Sequence, residues 1–294
     1  MTLMHLTQVK QLNTKAMLVR FSISKPTTSK RDTSAEQFTQ TSLHDTGLKV
    51  SATLFKEKTS PVRILLNSAN AAYHFHKENT LPYIDRGPRL LPVNNYERYR
   101  DTMRQLIREV NQELRQVMPD YYQHVNNDIT LRGARAGQSD YPYAADFENS
   151  FRLEFTFSPL PDESHFLFDI AEDDRQALNT QLQDVEAAAR ADLYARLRDP
   201  IMKLIAKLNI PVGEPGAIFR DTAVTNINDA IDIARQLAMG DETILQMCDE
   251  VALTIAPVKD NPDVLRESPI VREAAAAKLK AVSDRMAFMF GGAA

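Results

Sequence analysis

The chain has 294 residues, a length that suits one large domain or two modest ones. Hydrophobic residues make up 43% and charged residues 25% of it, which excludes a disordered, collagen-like or disulfide-rich chain as a whole. No apolar run approaches the roughly 20 residues that cross a bilayer, and residues 1–13 lack the continuous apolar stretch of a signal peptide. Cys248 is the single cysteine, so we expect a cytoplasmic protein without disulfides or membrane segments.

Charge is distributed unevenly along the chain. The formal net charge is −4, but residues 1–138 carry 20 Lys+Arg against 12 Asp+Glu, and residues 139–294 carry 15 against 27. The sequence therefore predicts a basic strand-plus-helix half over 1–138 and an acidic, mainly helical half over 139–294, either as two domains or within one. A basic half can bind polyanions. Alternatively, oppositely charged halves can meet head to tail between subunits or neutralise one another inside a fold.

The first third of the chain alternates strand patterns with irregular segments. Residues 17–24 and 48–54 alternate apolar with polar side chains, which predicts two half-buried strands. Residues 25–42 are rich in Thr, Ser and Lys and have no apolar period, so they are predicted to form a mobile loop. A serine–proline start at residues 60–61 predicts a helix that reaches about residue 76, and three prolines predict an irregular connection over 81–93.

The middle of the chain holds the clearest helix pattern. Seven apolar residues spaced by three or four fall on one helical stripe that starts near residues 94–95 and ends or kinks at Pro119. Residues 126–140, which contain two glycines, are predicted to form a loop. Residues 151–157 alternate strictly and predict a third strand, closed by prolines. The apolar residues of the stripe are Tyr96, Tyr99, Met103, Leu106, Val110, Leu114 and Val117.

Helical periodicity dominates the rest of the chain. Residues 172–208 predict one long helix that Pro200 should kink, and three further amphipathic stretches follow. Gly240 is predicted to take a left-handed cap conformation, with Asp241 capping the next helix and Ser268 starting the last one. The sequence therefore predicts an α+β, mainly α fold, in which long antiparallel amphipathic helices accompany a small β-sheet.

Motifs for catalysis and ligand binding are incomplete in this sequence. The nearest approach to a phosphate-binding loop, GARAG at residues 133–137, lacks the lysine and hydroxyl that hold phosphate and magnesium. The six histidines show no zinc spacing, and Cys248 lies beside an apolar stripe, as a buried structural thiol does. The acidic residues 172–174 begin a helix, where they favour its positive end. The sequence therefore predicts no catalytic residue, no cofactor and no metal.

One surface feature indicates a binding role. Arg100, Arg104 and Arg108 follow one another at i, i+4 on the most clearly predicted helix, and Arg115 lies one heptad further on. This row either is solvated or paired with neighbouring acids, or it contacts phosphates or an acidic partner. Together with the basic segments nearby in sequence, the candidate surface for an anionic partner or nucleic acid consists of Lys25, Lys30, Arg31, Arg100, Arg104, Arg108, Arg115, Arg132 and Arg135.

The order of several short blocks resembles a family of phage and bacterial proteins known as a domain of unknown function. The resemblance rests on MLVRFSIS at 17–24, LLPV at 90–93, FRLEFTFSPLP at 151–161, FRDT at 219–222 and SPIVRE at 268–273. It implies a phage-type accessory protein in the bacterial host cytoplasm, sometimes encoded near MoxR-type AAA ATPases and von Willebrand A-domain proteins. The family supplies no catalytic residues, so the resemblance leaves the activity open.

Two functions of different classes follow from these observations. The first is a non-enzymatic accessory or scaffold protein that acts through protein–protein contacts, as a homo-oligomer or with a protein partner such as an AAA ATPase. The alternative is a nucleic-acid-binding protein of phage replication or recombination that uses the basic candidate residues. An enzyme of unfamiliar type is a third, less favoured hypothesis.

Overall fold

The computed structural model of this chain describes residues 12, 14–83, 87–134, 136–161, 171–214, 217, 221–259 and 263–290. The chain forms two compact units, and both combine segments that are distant in sequence. The first unit consists of Met1–Arg20, Lys77–Glu97 and Phe157–Ala294, and the second consists of Phe21–His76 and Arg98–Thr156.

Both units draw on residues from either side of residue 138, where the charge of the sequence changes sign. The second unit contains 15 Lys+Arg and 13 Asp+Glu, a net charge of +2, which leaves −6 for the first unit. The contrast in net charge between the two compact units is therefore smaller than the contrast between the two halves of the sequence.

The fold is α+β and mainly helical, as the sequence predicts. Three strands form one sheet in the order β4-β1-β5, and β2 pairs with β3 in a separate antiparallel ribbon. The strands are β1 (Ala16–Ser24), β2 (Ser29–Arg31), β3 (Ser51–Thr53), β4 (Arg89–Pro92) and β5 (Arg152–Ser158). The helices are α1 (Thr33–Leu43), α2 (Pro61–Glu78), α3 (Tyr96–Val117), α4 (Tyr121–Arg132), α5 (Ala144–Ser150), α6 (Glu172–Leu208), α7 (Thr222–Leu237), α8 (Glu242–Lys259), α9 (Asp263–Glu267) and α10 (Pro269–Phe290).

Helices and strands with a strong apolar period form where the sequence predicts them. β1 and β5 show the predicted alternation, and α3 buries five of the seven residues of the predicted stripe. Pro119 lies in a 3₁₀ turn, Met118–Asp120, that follows α3. Gly240 takes the predicted left-handed conformation at φ 77°, and Asp241 Oδ1 accepts hydrogen bonds from the amides of Thr243 and Ile244. α6 continues through Pro200 to its end, and the kink at that residue stays a prediction.

The prediction of a mobile loop over residues 25–42 is wrong, because β2 and most of α1 lie there. Asp32 caps α1 by accepting a hydrogen bond from the Ala35 amide at 2.9 Å. Glu36 is the only buried residue of α1, and Arg31 holds its carboxylate through two hydrogen bonds of 2.8 and 2.6 Å. Because polar contacts rather than an apolar stripe define this helix, an apolar period could not reveal it.

The predicted loop over residues 126–140 is also wrong at its start, because α4 runs to Arg132. Its buried residues are Tyr121, Val125 and Asp128. The buried side of the helix therefore carries a carboxylate at a position where an apolar residue would have continued the helical period. Gly133 ends the helix at φ 82°, with its amide bonded to the Ile129 carbonyl at 2.9 Å.

The predicted irregular connection over residues 81–93 contains a strand. β4 pairs antiparallel with β1, from Val19 opposite Arg89 to Ala16 opposite Pro92. Its prolines do not prevent this, since Pro88 precedes the strand and Pro92 ends it. Of the strand predicted over 48–54, only β3 forms, and the short helix α9 has no counterpart in the sequence prediction.

The first unit has a helical core. α6, α7, α8 and α10 pack against one another, and their buried side chains form one apolar cluster with residues of β1 and β4. The repeated spacing of three and four residues along α6 supplies much of this cluster. Representative buried residues are Leu182, Leu193, Leu197, Ile201, Ile227, Ile231, Val251 and Leu279.

The second unit has a smaller core that is rich in aromatic side chains. Phe55 lies at its centre and meets Tyr141 and Phe147 edge to face, with ring centroids 5.2 and 6.1 Å apart. Tyr121 packs against Phe147 at 4.7 Å and donates its hydroxyl proton to the Pro142 carbonyl. Such pairs add to the stabilisation that comes from burying the rings themselves. This cluster holds α4 and α5 against the segment that leads into α2.

Candidate interaction surface

The four arginines predicted on α3 form one row, here called the arginine ridge: Arg100, Arg104, Arg108 and Arg115. At about 100° per residue they fall within a sector of about 80°, and at about 1.5 Å rise per residue they span about 22 Å. The buried residues of α3, such as Met103 and Val110, lie on the side of the helix that faces the core. The amphipathic pattern of α3 therefore fixes the direction in which the ridge points.

The ridge is only partly neutralised within its own chain. Arg100 binds Asp101 through hydrogen bonds of 2.8 and 3.2 Å, and this contact, with the charges of Arg104 and Arg108, holds the pKa of Asp101 below its ordinary value. Arg104, Arg108 and Arg115 are exposed and make no ion pair or hydrogen bond through their guanidinium groups with any residue that the structure describes. Three positive charges are therefore available to a partner.

Four other candidate cations are held by partners inside the second unit. Lys30 Nζ and Arg132 Nη1 both bind the carboxylate of Asp140, at 2.6 and 3.2 Å. The hydrogen bond from Lys30 contributes most to holding the pKa of Asp140 below its ordinary value. Arg31 binds Glu36, as described for α1, and Lys25 donates to the Asn70 side chain. These four residues stabilise the second unit, and Arg135 lies outside the described residues.

A buried polar cluster, which the sequence analysis missed, connects these ion pairs to the aromatic core. The Asp128 carboxylate accepts hydrogen bonds from the Phe55 amide at 2.8 Å, the Lys56 amide at 3.3 Å and the Tyr141 hydroxyl at 2.6 Å. Arg132 in turn donates to the Tyr141 hydroxyl at 3.1 Å. Phe55 has φ 52°, a conformation that costs energy for a bulky residue, so the contacts of its amide and ring must hold it.

Alkaline pH should weaken the second unit through Tyr141. Burial, with the hydrogen bond to Asp128, raises the pKa of Tyr141 to about 12, whereas an unfolded tyrosine titrates near about 10. The proton is therefore bound more tightly in the folded state, and the resulting stability is present below pH ~10 and is lost as the pH rises toward about 12. We expect urea midpoints to fall more steeply above pH ~10 in the wild-type chain than in Tyr141→Phe. Equal slopes for the two proteins would contradict this assignment.

Cys248 and His76 are buried and do not form a competing site. Cys248 is buried in the core of the first unit, and burial raises the pKa of its thiol to about 11, which disfavours the reactive thiolate. His76 is buried beside Tyr99, with its Nδ1 2.7 Å from the tyrosine oxygen, in the second unit. Among the described ranges, no group of three or more His, Cys, Asp or Glu side chains could hold a metal ion.

Two cavities of the first unit each contain an arginine that already has partners. One, of about 230 Å³, lies at the start of α8, where Arg190 binds both Glu186 and Asp241 at 3.1 Å. The other, of about 560 Å³, lies between the end of α6 and the start of α10 and is lined in part by Arg272. The Arg272 guanidinium is buried and donates to backbone carbonyls, so its role there is structural.

Comparisons with known proteins place no further constraint on this surface. No family model, no curated protein and no solved structure matches the chain. In the part of the chain that the structure describes, no helix is both long and apolar enough to cross a membrane. The family suggested by the short sequence blocks therefore stays a prediction.

Proposed function

We propose that this chain is a non-enzymatic, phage-type accessory or scaffold protein that binds a carboxylate-bearing protein surface through the arginine ridge. One observation carries the proposal: Arg104, Arg108 and Arg115 are exposed, lie on one face of α3, and form no ion pair or hydrogen bond through their guanidinium groups with a described residue. Like charges at i, i+4 cost about 0.2–0.5 kcal/mol per pair in an isolated helix. An acidic partner would remove that cost.

Arginine suits this role better than lysine would. Its planar guanidinium forms two parallel hydrogen bonds to one carboxylate, so a row of arginines recognises a row of acids by geometry as well as by charge. Exposed ion pairs contribute only about 0.2–1 kcal/mol each, so the ridge by itself supports a weak, salt-dependent contact. Such a contact is suited to reversible assembly, and an AAA ATPase partner is one form that the assembly could take.

The number of available cations favours a protein partner over nucleic acid. Lys25, Lys30, Arg31 and Arg132 are engaged inside the second unit, which leaves three unpaired arginines on the ridge. Three phosphate contacts would give a log–log salt slope of only about −2.7 for duplex DNA and about −2.1 for a single strand. Nucleic-acid binding at this ridge would therefore be weak near physiological salt.

The test compares a ridge variant with a matched control. Arg104→Gln, Arg108→Gln and Arg115→Gln together remove three charges and keep a good helix former at each position. Lys49→Gln, Lys56→Gln and Lys58→Gln remove three exposed charges from the same unit at positions outside α3. Binding of fluorescent poly-glutamate and of single- and double-stranded oligonucleotides is measured by anisotropy at low salt.

We expect the ridge variant to lose poly-glutamate binding by at least about tenfold and the control variant to lose less than about threefold, since unpatterned surface charges contribute little. Equal losses in the two variants would overturn the proposal. Tighter binding of oligonucleotides than of poly-glutamate, with a salt slope that falls in the ridge variant, would replace it with the nucleic-acid alternative.

A further inference from the structure

We infer that the acidic surface bound by the arginine ridge is helix α7 of a second copy of this chain. The inference rests on the proposed function of the ridge and names its partner. The ridge belongs to the second unit, whose net charge is +2, and α7 belongs to the first unit, whose net charge is −6. Each copy therefore carries both surfaces that the contact requires.

The outer face of α7 carries two aspartates that a partner can contact. Asp229 and Asp232 are exposed, and neither makes an ion pair or hydrogen bond through its carboxylate with a described residue. The nearby cation on the same helix, Arg235, is already bound to Asp249 of α8 at 2.7 Å. The inner face of α7 is fixed in the core by Val224, Ile227 and Ile231, so the direction of the acidic face is set by packing.

The spacing of two aspartates of α7 is similar to that of two arginines of the ridge. Arg104 and Arg108 are separated by about 6 Å along their helix axis, and Asp229 and Asp232 by about 4.5 Å. Residues three or four apart lie on one face of a helix, so each pair of charges can face the other pair across two packed helices.

Another exposed acidic group of the first unit fits the ridge less well. Glu172, Asp173 and Asp174 are consecutive in the first turn of α6 and cover only about 3 Å along the helix axis. Consecutive residues also point in directions about 100° apart, so they cannot line up against one row of arginines. Arg175 already binds Glu172 at 3.5 Å. We therefore assign the contact to α7 and use the α6 acids as a control.

The inferred contact joins two different surfaces, so it is heterologous. Such contacts place copies head to tail and produce closed rings or open filaments, according to the rotation between successive copies. When a ring closes, the last contact forms within one assembly, where the effective concentration of the two surfaces is high. Contacts that are weak one at a time can then hold the ring together. This would let a salt-sensitive ridge support a stable assembly, which is the behaviour expected of a scaffold.

Charge reversal tests the assignment. One variant carries Arg104→Glu and Arg108→Glu, a second carries Asp229→Arg and Asp232→Arg, and a third carries all four changes. The control carries Asp173→Arg and Asp174→Arg, the same change of charge at exposed positions of α6. Sedimentation velocity gives the mass distribution of the full chain against concentration at low and high salt, and circular dichroism checks that each variant is folded.

We expect the wild-type chain and the α6 control to associate at low salt and to dissociate at high salt, as screening shortens the range of the charges from about 30 Å at 0.01 M to about 10 Å at 0.1 M. Each two-residue reversal should lower the association constant by at least about tenfold, and the four-residue variant should recover it to within about threefold, because the ion pairs are rebuilt with exchanged signs. An equimolar mixture of the two reversed proteins should also associate.

Three results would overturn the inference: a monomeric wild-type chain at every concentration and salt, an equal loss in the α6 control, or no recovery in a folded four-residue variant. The poly-glutamate measurement separates this failure from failure of the proposed function. If the ridge variant still loses poly-glutamate binding while the wild-type chain stays monomeric, the ridge binds an acidic protein other than a second copy.

Discussion

Replacing Arg272 with methionine should lower the free energy of unfolding by about 2–4 kcal/mol. Arg272 is only 3% exposed, and its guanidinium donates to the carbonyls of Leu208 at 2.8 Å, Ala217 at 3.0 Å and Leu265 at 3.3 Å, as well as to that of Lys207. Lys207 and Leu208 end α6, where a positive charge also interacts favourably with the helix dipole. Methionine fills similar space but leaves these carbonyls without donors.

The loss should be smaller than the sum of the separate hydrogen bonds, because removing a buried charge also removes its desolvation cost. Urea unfolding of the whole chain measures it, with Arg285→Met as the control on the same helix. Arg285 is exposed and bound to Glu250, so its replacement should cost less than about 1 kcal/mol. A loss below about 1 kcal/mol for Arg272→Met would contradict the structural role given to this residue.

Replacing Asp128 with alanine should cost the second unit about 2–4 kcal/mol. Asp128 is 4% exposed, and its carboxylate accepts hydrogen bonds from two backbone amides and from the Tyr141 hydroxyl. Without it the amides of Phe55 and Lys56 lose a buried acceptor, and one of the contacts that hold Phe55 in its left-handed conformation disappears. Asp128→Asn keeps an acceptor oxygen and should lose roughly half as much.

Because the chain has two units, the probe for this prediction must report on the second one. Hydrogen exchange of α4 and of the segment before α2 serves this purpose, since both contribute to the core of that unit. Asp120→Ala is the matched control, because Asp120 is exposed and its side chain makes no capping hydrogen bond to α4. Comparable protection of α4 in Asp128→Ala and Asp120→Ala would show that the buried cluster does not hold this region.

The prediction of the ridge from sequence depended on two local properties of α3. Apolar residues spaced by three and four determine which side of α3 is buried, and arginines spaced by four and seven form a second row beside that stripe. Helical spacing of apolar residues also predicts four other helices, α6, α7, α8 and α10. In these helices, neighbours in sequence are sufficient because they are also neighbours in space.

That logic fails where polar residues determine an element. α1 buries only Glu36, and α4 carries Asp128 at a buried position, so neither helix shows the apolar period that would identify it. Both depend on partners elsewhere in the fold: Asp128 binds amides 72 and 73 residues earlier in the chain. A sequence pattern that is read within a window of about 11–18 residues cannot contain such pairs.

The sequence by itself determined which residue types this protein carries on each helix face, and hence the row of arginines on α3 and the acids on the outer face of α7. Only the tertiary structure decided which of those charges are available. Lys30 and Asp140 lie 110 residues apart and meet at 2.6 Å, whereas Arg104 and Arg108 form no ion pair or hydrogen bond with an acid that the structure describes. Charges interact through space over a few ångströms, so pairing follows from how distant segments pack.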